Sequence, residues 1–69
     1  MNKMYNYFIK PSVSIKEAIK NLNKTGRKCL IVSDKNRILK GTLSDGDIRK
    51  AILNGYKIET EIHKIYNRK

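Results

Sequence analysis

Gly41 to Leu53 read "GTLSDGDIRKAIL", and the stretch divides at Ser44, where a strand gives way to a helix. Up to the division, "ILKGTL" (residues 38–43) reads as a strand, with Gly41 marking a bend or the close approach of another group. Past it, a helix starts near Asp45 and carries Ile48, Ala51 and Ile52 on one face, with Leu53 widening that face and Gly55 as the stop. Two accounts explain why the acids Asp45 and Asp47 gather here. In one, Ser44 is the N-cap, the acids complement the partial positive charge of the helix start, and Gly46 merely occupies the first turn. In the other, the Ser44 hydroxyl and the unpaired amides hold a phosphate, Gly41 lets a ligand come close to the backbone, and one carboxylate accepts from a ribose diol. The Ser-x-x-Asp spacing is common and leaves both accounts open.

Working outward, "DKNR" (residues 34–37) is a turn, because Asp and Asn bond their own backbone and tolerate tight geometry. The run "CLIVS" (residues 29–33) is too short for a typical helix, and its unbroken apolarity suits a central strand covered on both faces. The two strands form a hairpin. Further upstream, Ser14 and Glu17 have the spacing of a capping box, followed by Ile15, Ala18, Ile19 and Leu22 on one helical face. This predicts a helix over about 15–24, closed by Gly26 in the left-handed conformation, with Lys16, Lys20 and Lys24 as a solvated stripe. "YNYFIK" before Pro11 supplies a short leading strand, since the residue before proline favours extended backbone. After Gly55, Thr60 is placed to cap a short helical turn bearing Ile62, Ile65 and Tyr66. The order is β-α-β-β-α and a tail, without repeats or low-complexity linkers.

The chain has 69 residues, 16 of them Lys or Arg and 6 Asp or Glu, for a formal charge of +10. That length allows one small domain, which hides only about 60% of the surface its unfolded chain exposes, so a partner surface or a second copy adds needed burial. The charge invites an anionic partner. The basic residues are spread along the whole chain, however, with only isolated adjacent pairs such as Arg27-Lys28 and Arg49-Lys50, which argues against a nucleic-acid-binding arm. Cys29, the single cysteine, cannot form an internal disulfide and reads as a small buried hydrophobe, which together with the absence of a signal-peptide pattern or a membrane-length apolar run predicts a soluble cytoplasmic protein.

Over roughly residues 8–66, the capped helix, the apolar strand, the "DKNR" turn and the ending "GTLSDGDIRKAIL" together resemble a cystathionine β-synthase (CBS) domain, a small motif used as a regulatory nucleotide sensor. The resemblance implies an α/β (α+β) fold: a single β-α-β-β-α motif with a small mixed sheet and two helices packed on one side. One domain is expected over residues 1–69, with its core at about 8–56 and residues 57–69 leading toward a second motif. In that family a glycine, an apolar position, a Thr or Ser and an Asp three residues later bind phosphate and ribose. Here Gly41, Thr42 or Leu43, Ser44 and Asp47 stand at those positions, with Thr42 where an apolar residue is usual. By resemblance Ser44 contacts phosphate and Asp47 the ribose hydroxyls, while Lys10, Pro11, Ser12 and Val13, together with Lys28, Cys29 and Leu30, wall an adenine pocket. The implied ligand is AMP, ADP or ATP, with no cofactor required. Lys10, Lys28 and Lys40 lie in sequence near this pocket, either to neutralise added phosphates or as solvated surface. CBS motifs work in pairs packed through their sheets, so a homodimer is expected, each copy standing in for the other's missing repeat.

The segment from Thr42 to Lys69 is also similar to CBS modules that precede sugar-phosphate nucleotidyltransferases, where a "DGDIR" ending leads into a second motif. That likeness implies a parent transferase whose remainder is a further partner, with "IHKIYNRK" as the connector. The fragment itself is expected to be non-catalytic. Ser44, His63 and Asp47 supply the residue types of a triad without a nucleophile elbow, and Gly41 and Gly46 lack the Gly-Lys-Ser/Thr that completes a phosphate loop. One His and one Cys give zinc no plausible ligand set. Tyr5, Tyr7, Tyr56 and Tyr66 read as edge residues with wet hydroxyls rather than base-stacking platforms. The competing expectation is a ligand-free dimerisation scaffold, in which Ser44 and Asp47 only cap a helix.

Overall fold

A computed structural model of the chain describes residues 8–68. Strand β1 (Phe8–Ile9) leads into helix α1 (Ile15–Thr25), a hairpin of β2 (Cys29–Ser33) and β3 (Leu39–Ser44), helix α2 (Asp45–Leu53) and a single 3-10 turn (Ile62–Lys64). The sheet has the order β1-β2-β3, with β1 parallel and β3 antiparallel to the central β2. This is the small mixed sheet with two helices that the sequence implies. The rest of the expected leading strand, including Tyr5 and Tyr7, lies outside the described residues.

Helix α1 starts where the sequence predicts. The Ser14 side chain accepts the Glu17 amide at 3.1 Å, and Gly26 closes the helix in the left-handed region at φ 72°. Only this half of the expected capping box forms at α1. Between β2 and β3, Asp34 builds the turn by accepting the amides of Asn36 at 2.8 Å and Ile38 at 3.0 Å. The amide of Ile38 does most to hold the Asp34 carboxyl below its ordinary value; desolvation opposes it, and the Asn36 amide and the charges of Lys40 and Lys35 add to the lowering.

The core lies on one face of the sheet. Leu30 and Val32 of β2 and Leu43 of β3 meet Ile15, Ala18 and Leu22 of α1 and Ile48 and Ala51 of α2. Removing each large aliphatic side chain from water stabilises the fold by about 1.5–3 kcal/mol. The opposite face differs from expectation: Cys29 is exposed and Ile31 only half-buried, so β2 is covered on one face rather than both. The register explains this, because Cys29 and Ile31 alternate with Leu30 and Val32, and among the described residues no layer covers their side. The helix faces are also narrower than the pattern suggests. Ile19 and Ile52 are more than a third exposed, and Leu53 is 80% exposed, pointing away from the core rather than widening it.

The segment after Gly55 packs more deeply than a core ending near residue 56 implies. Ile62 is fully buried, and its amide donates to the Val13 carbonyl at 2.8 Å. Glu61, not Thr60, stands at the N-cap position of the 3-10 turn, and no side chain caps it. Thr60 instead accepts the Ile15 amide through its carbonyl at 2.8 Å. The tail then reaches β3, where Asn67 and Thr42 exchange backbone hydrogen bonds of 2.8 and 2.9 Å. Gly41 is the consequence: a Cβ built there would come within 2.0 Å of the Asn67 carbonyl oxygen. The close approach predicted at this glycine is made by the chain's own tail.

Candidate functional site

The corner between β3 and α2 is built by Ser44. Its extended backbone ends the strand, and its hydroxyl oxygen accepts the Asp47 amide at 3.1 Å while Asp47 Oδ2 accepts the Ser44 amide at 2.9 Å. A closed capping box satisfies two groups that would otherwise be left over, worth about 1 kcal/mol. The first amide of α2, from Asp45, donates to the Lys28 carbonyl at 3.0 Å, which ties the helix start to the approach of β2. Asp45 itself turns along the helix to Arg49, with Oδ2 2.7 Å from the guanidinium nitrogen.

A helix cap does not use every polar group it brings together, and this box leaves specific groups over. The Ser44 oxygen is an acceptor in the box, so its hydroxyl hydrogen remains a donor. Asp47 engages through Oδ2, and Oδ1 has no partner among the described residues. The amide of Gly46, in the first turn of α2, has no acceptor one turn back within the helix, and Gly46 is exposed, with only the Ser44 hydroxyl near a Cβ built on it, at 3.7 Å. One hydroxyl donor, one amide donor at the positive end of a helix and one carboxylate oxygen thus remain at this corner. The donors suit an anion, and the carboxylate suits a diol.

Asp47 also borders a cavity of about 450 Å3 between α2 and the tail, lined by Lys50, Ala51, Asn54, Tyr56, Lys64, Ile65 and Asn67. A second cavity, of about 300 Å3, opens on the far side of the α2 start between the end of α1 and Asp45, and a third, of about 600 Å3, lies beside Lys28, Cys29 and Ile31.

The other residues expected at the site divide accordingly. Lys28 and Cys29 stand beside the corner, Cys29 paired with Ser44 across the hairpin, but they line the second and third cavities rather than that of Asp47. Leu30 is fully buried in the core and walls nothing. Gly41 is closed off by Asn67, so its bare face admits no ligand. Thr42 is exposed, with its amide and carbonyl both bonded to Asn67. Lys10, Pro11 and Val13 are not brought to Ser44. Ile9 pairs with Val32 and Ser44 with Cys29, so Lys10–Val13 continue past the opposite end of the sheet, displaced by roughly 10 Å along the strands. Pro11 and Val13 hold the tail through their carbonyls. Lys40 lies 3.8 Å from Asp34, at the hairpin end.

Lys50 and Asn54 follow Asp47 at helical spacing, a signal present in the sequence and not used. Lys64 and Asn67 reach the cavity only because the tail folds back, which no local pattern shows.

Comparison with known proteins agrees with this architecture. A family model described as "CBS domain" matches residues 1–54. An uncharacterised protein of Helicobacter pylori strain J99 is 39% identical over 54 residues, covering 78% of this chain and 16% of the relative, so the chain spans only a small part of that relative's length. Among solved structures, a CBS-domain containing protein from Agrobacterium tumefaciens superposes with a TM-score of 0.85 at 20% identity, over 90% of this chain and 48% of that one. An uncharacterised conserved protein from Pyrococcus horikoshii gives a TM-score of 0.84 at 26% identity, over 99% of this chain and 52% of that one. A CBS domain pair crystallised with 5′-methylthioadenosine and S-adenosyl-L-methionine gives 0.81 at 31% identity, over 90% of this chain and 50% of the pair. The cap, the hairpin, the mixed sheet and these matches lead to one conclusion: the chain belongs to the CBS domain family.

Proposed function

We propose that this chain is a non-catalytic regulatory module that binds an adenine nucleotide at the start of α2. One observation carries the reading: the capping box uses the Ser44 oxygen and Asp47 Oδ2, leaving the Ser44 hydroxyl hydrogen and Asp47 Oδ1 at a helix start that also carries the Gly46 amide. Ser44 and Gly46 donate to a phosphate oxygen, and Asp47 accepts from the ribose hydroxyls. The relative in complex with two adenosine derivatives, 31% identical to this chain, supports the choice of an adenosine-containing ligand.

The open side of the sheet, with Phe8, Cys29, Ile31 and Thr42 uncovered or half-covered, supports pairing with a second CBS motif. In a homodimer that motif comes from another copy; in a longer protein it follows in the same chain. The "DGDIR" ending points to a sugar-phosphate nucleotidyltransferase as the regulated activity in such a protein.

Thermal unfolding with and without ADP tests the binding. Ligand at a hundred times its Kd stabilises the folded state by about 2.7 kcal/mol, a shift of many degrees for so small a domain. Asp47→Ala is expected to remain folded, lose about 1 kcal/mol from the broken box and show no shift with ADP. An unchanged shift in that variant excludes the ribose role. No shift in the unmodified chain leaves the pairing scaffold as the function.

A further inference from the structure

The cavity beside Asp47 carries charge that the capping corner alone does not need. Ser44, Asp47, Lys50 and Asn54 follow one another at helical spacing along α2, and Lys64 faces them from the 3-10 turn across the cavity. Side chains on a helix slant toward its N-terminus, which directs Lys50 toward the turn that carries Asp47, beside it in the cavity lining. Neither Lys50 nor Lys64 has an ion-pair partner among the described residues. Asp45 is paired with Arg49, which leaves Asp47 as the one carboxylate lining the cavity against two lysines, a net positive lining.

A monophosphate is served by the Ser44 hydroxyl and the helix start, which together present partial charges only. Two full positive charges a turn away are matched by a second or third phosphate. Resting on the nucleotide reading given above, we propose that this site selects an adenine nucleoside di- or triphosphate over adenosine and AMP, and that Lys50 and Lys64 read the added phosphates.

Isothermal titration of the chain with adenosine, AMP, ADP and ATP, without magnesium and at fixed ionic strength, tests this. Affinity is expected to rise along the series. Lys50→Gln and Lys64→Gln should each lower the ratio of ATP to adenosine affinity about 3-fold, and the double variant about 10-fold, as suits charge pairs open to solvent. A chain of charge +10 also attracts polyanions without any site. The control is therefore Lys16→Gln with Lys20→Gln, which removes the same charge from the exposed side of α1 and should leave the ratio unchanged. Equal loss in the control overturns the proposal, and so does a flat series. A flat series in which adenosine and AMP still bind leaves the nucleotide reading standing, whereas no binding by any of the four ends both.

Discussion

The two helices begin with the same local chemistry and end up with different freedom. Helix α1 has Ser14 and Glu17 and helix α2 has Ser44 and Asp47, each a serine with an acid three positions on. At α1 the tail supplies what the helix start lacks, since Ile15 donates to the Thr60 carbonyl at 2.8 Å and Lys16 to the Ile58 carbonyl at 2.9 Å. Ser14 takes the Glu17 amide, and the start is sealed. At α2 the acid closes back on the serine, Asp45 is held by Lys28, and the Gly46 amide is left over. A cap motif thus says that a helix starts. Whether that start is spent on the fold or offered to a ligand depends on what the distant chain lays across it.

The largest expected effect breaks the seal. Ile62 is fully buried and anchors the segment that covers α1. Ile62→Ala should cost about 2–5 kcal/mol, read as a lowered urea midpoint. If the seal makes the difference, hydrogen exchange will speed up more at the Ile15 and Lys16 amides than at Asp45. Equal acceleration at all three would mean that the tail supports the whole fold and does not distinguish the helix starts.

The caps come next. Ser14→Ala and Ser44→Ala should each lose about 1 kcal/mol in denaturant unfolding, because each removes one amide acceptor. They should part company in ligand binding, with Ser44→Ala weakening ADP and Ser14→Ala leaving it unchanged. A loss of binding in the Ser14 variant would break the contrast.

How much of this contrast is legible in the sequence follows from the range of each interaction. Both caps, the left-handed Gly26 and the Asp34 turn depend on residues within a few positions, and each forms at the place predicted. The seal on α1, the Asn67 carbonyl against Gly41 and the arrival of Lys64 beside Asp47 depend on where the tail lies, which no local spacing encodes. Where Lys10–Val13 lie relative to Ser44 is set by the same kind of long-range order. Strand pairing is legible, but register decides which end of the sheet a loop leaves from: Ile9 pairs with Val32 and Ser44 with Cys29, at opposite ends of β2. Cys29 shows a third kind of gap: its apolar neighbours predict burial, and the alternation of the strand leaves it on the open face.

Gly46→Ala sharpens the comparison at the open start by a smaller amount. A Cβ there meets only the Ser44 hydroxyl, at ordinary contact distance, and its backbone is not in the left-handed region. Replacing glycine inside a helix should therefore stabilise the fold by about 0.5–1 kcal/mol in thermal unfolding. The amide stays in place, so ADP binding should survive. Lost binding would mean that the ligand needs the bare Cα itself.

The smallest effect comes from Asp34, whose carboxylate closes on backbone amides at the hairpin, away from both helix starts. Its folded-state pKa is lowered, chiefly by the Ile38 amide, so its contribution is fully present above the ordinary carboxylate value and disappears as pH falls through the lowered one. Asp34→Asn retains an oxygen that accepts the same two amides but cannot titrate. The variant should therefore be slightly less stable than the unmodified chain near neutral pH, and the two should converge below about pH 4. If Asp34 serves the turn alone, ADP affinity at neutral pH will be the same in both. A drop would couple the hairpin to the α2 corner through β3, and the two helix starts would then differ by more than the position of the tail.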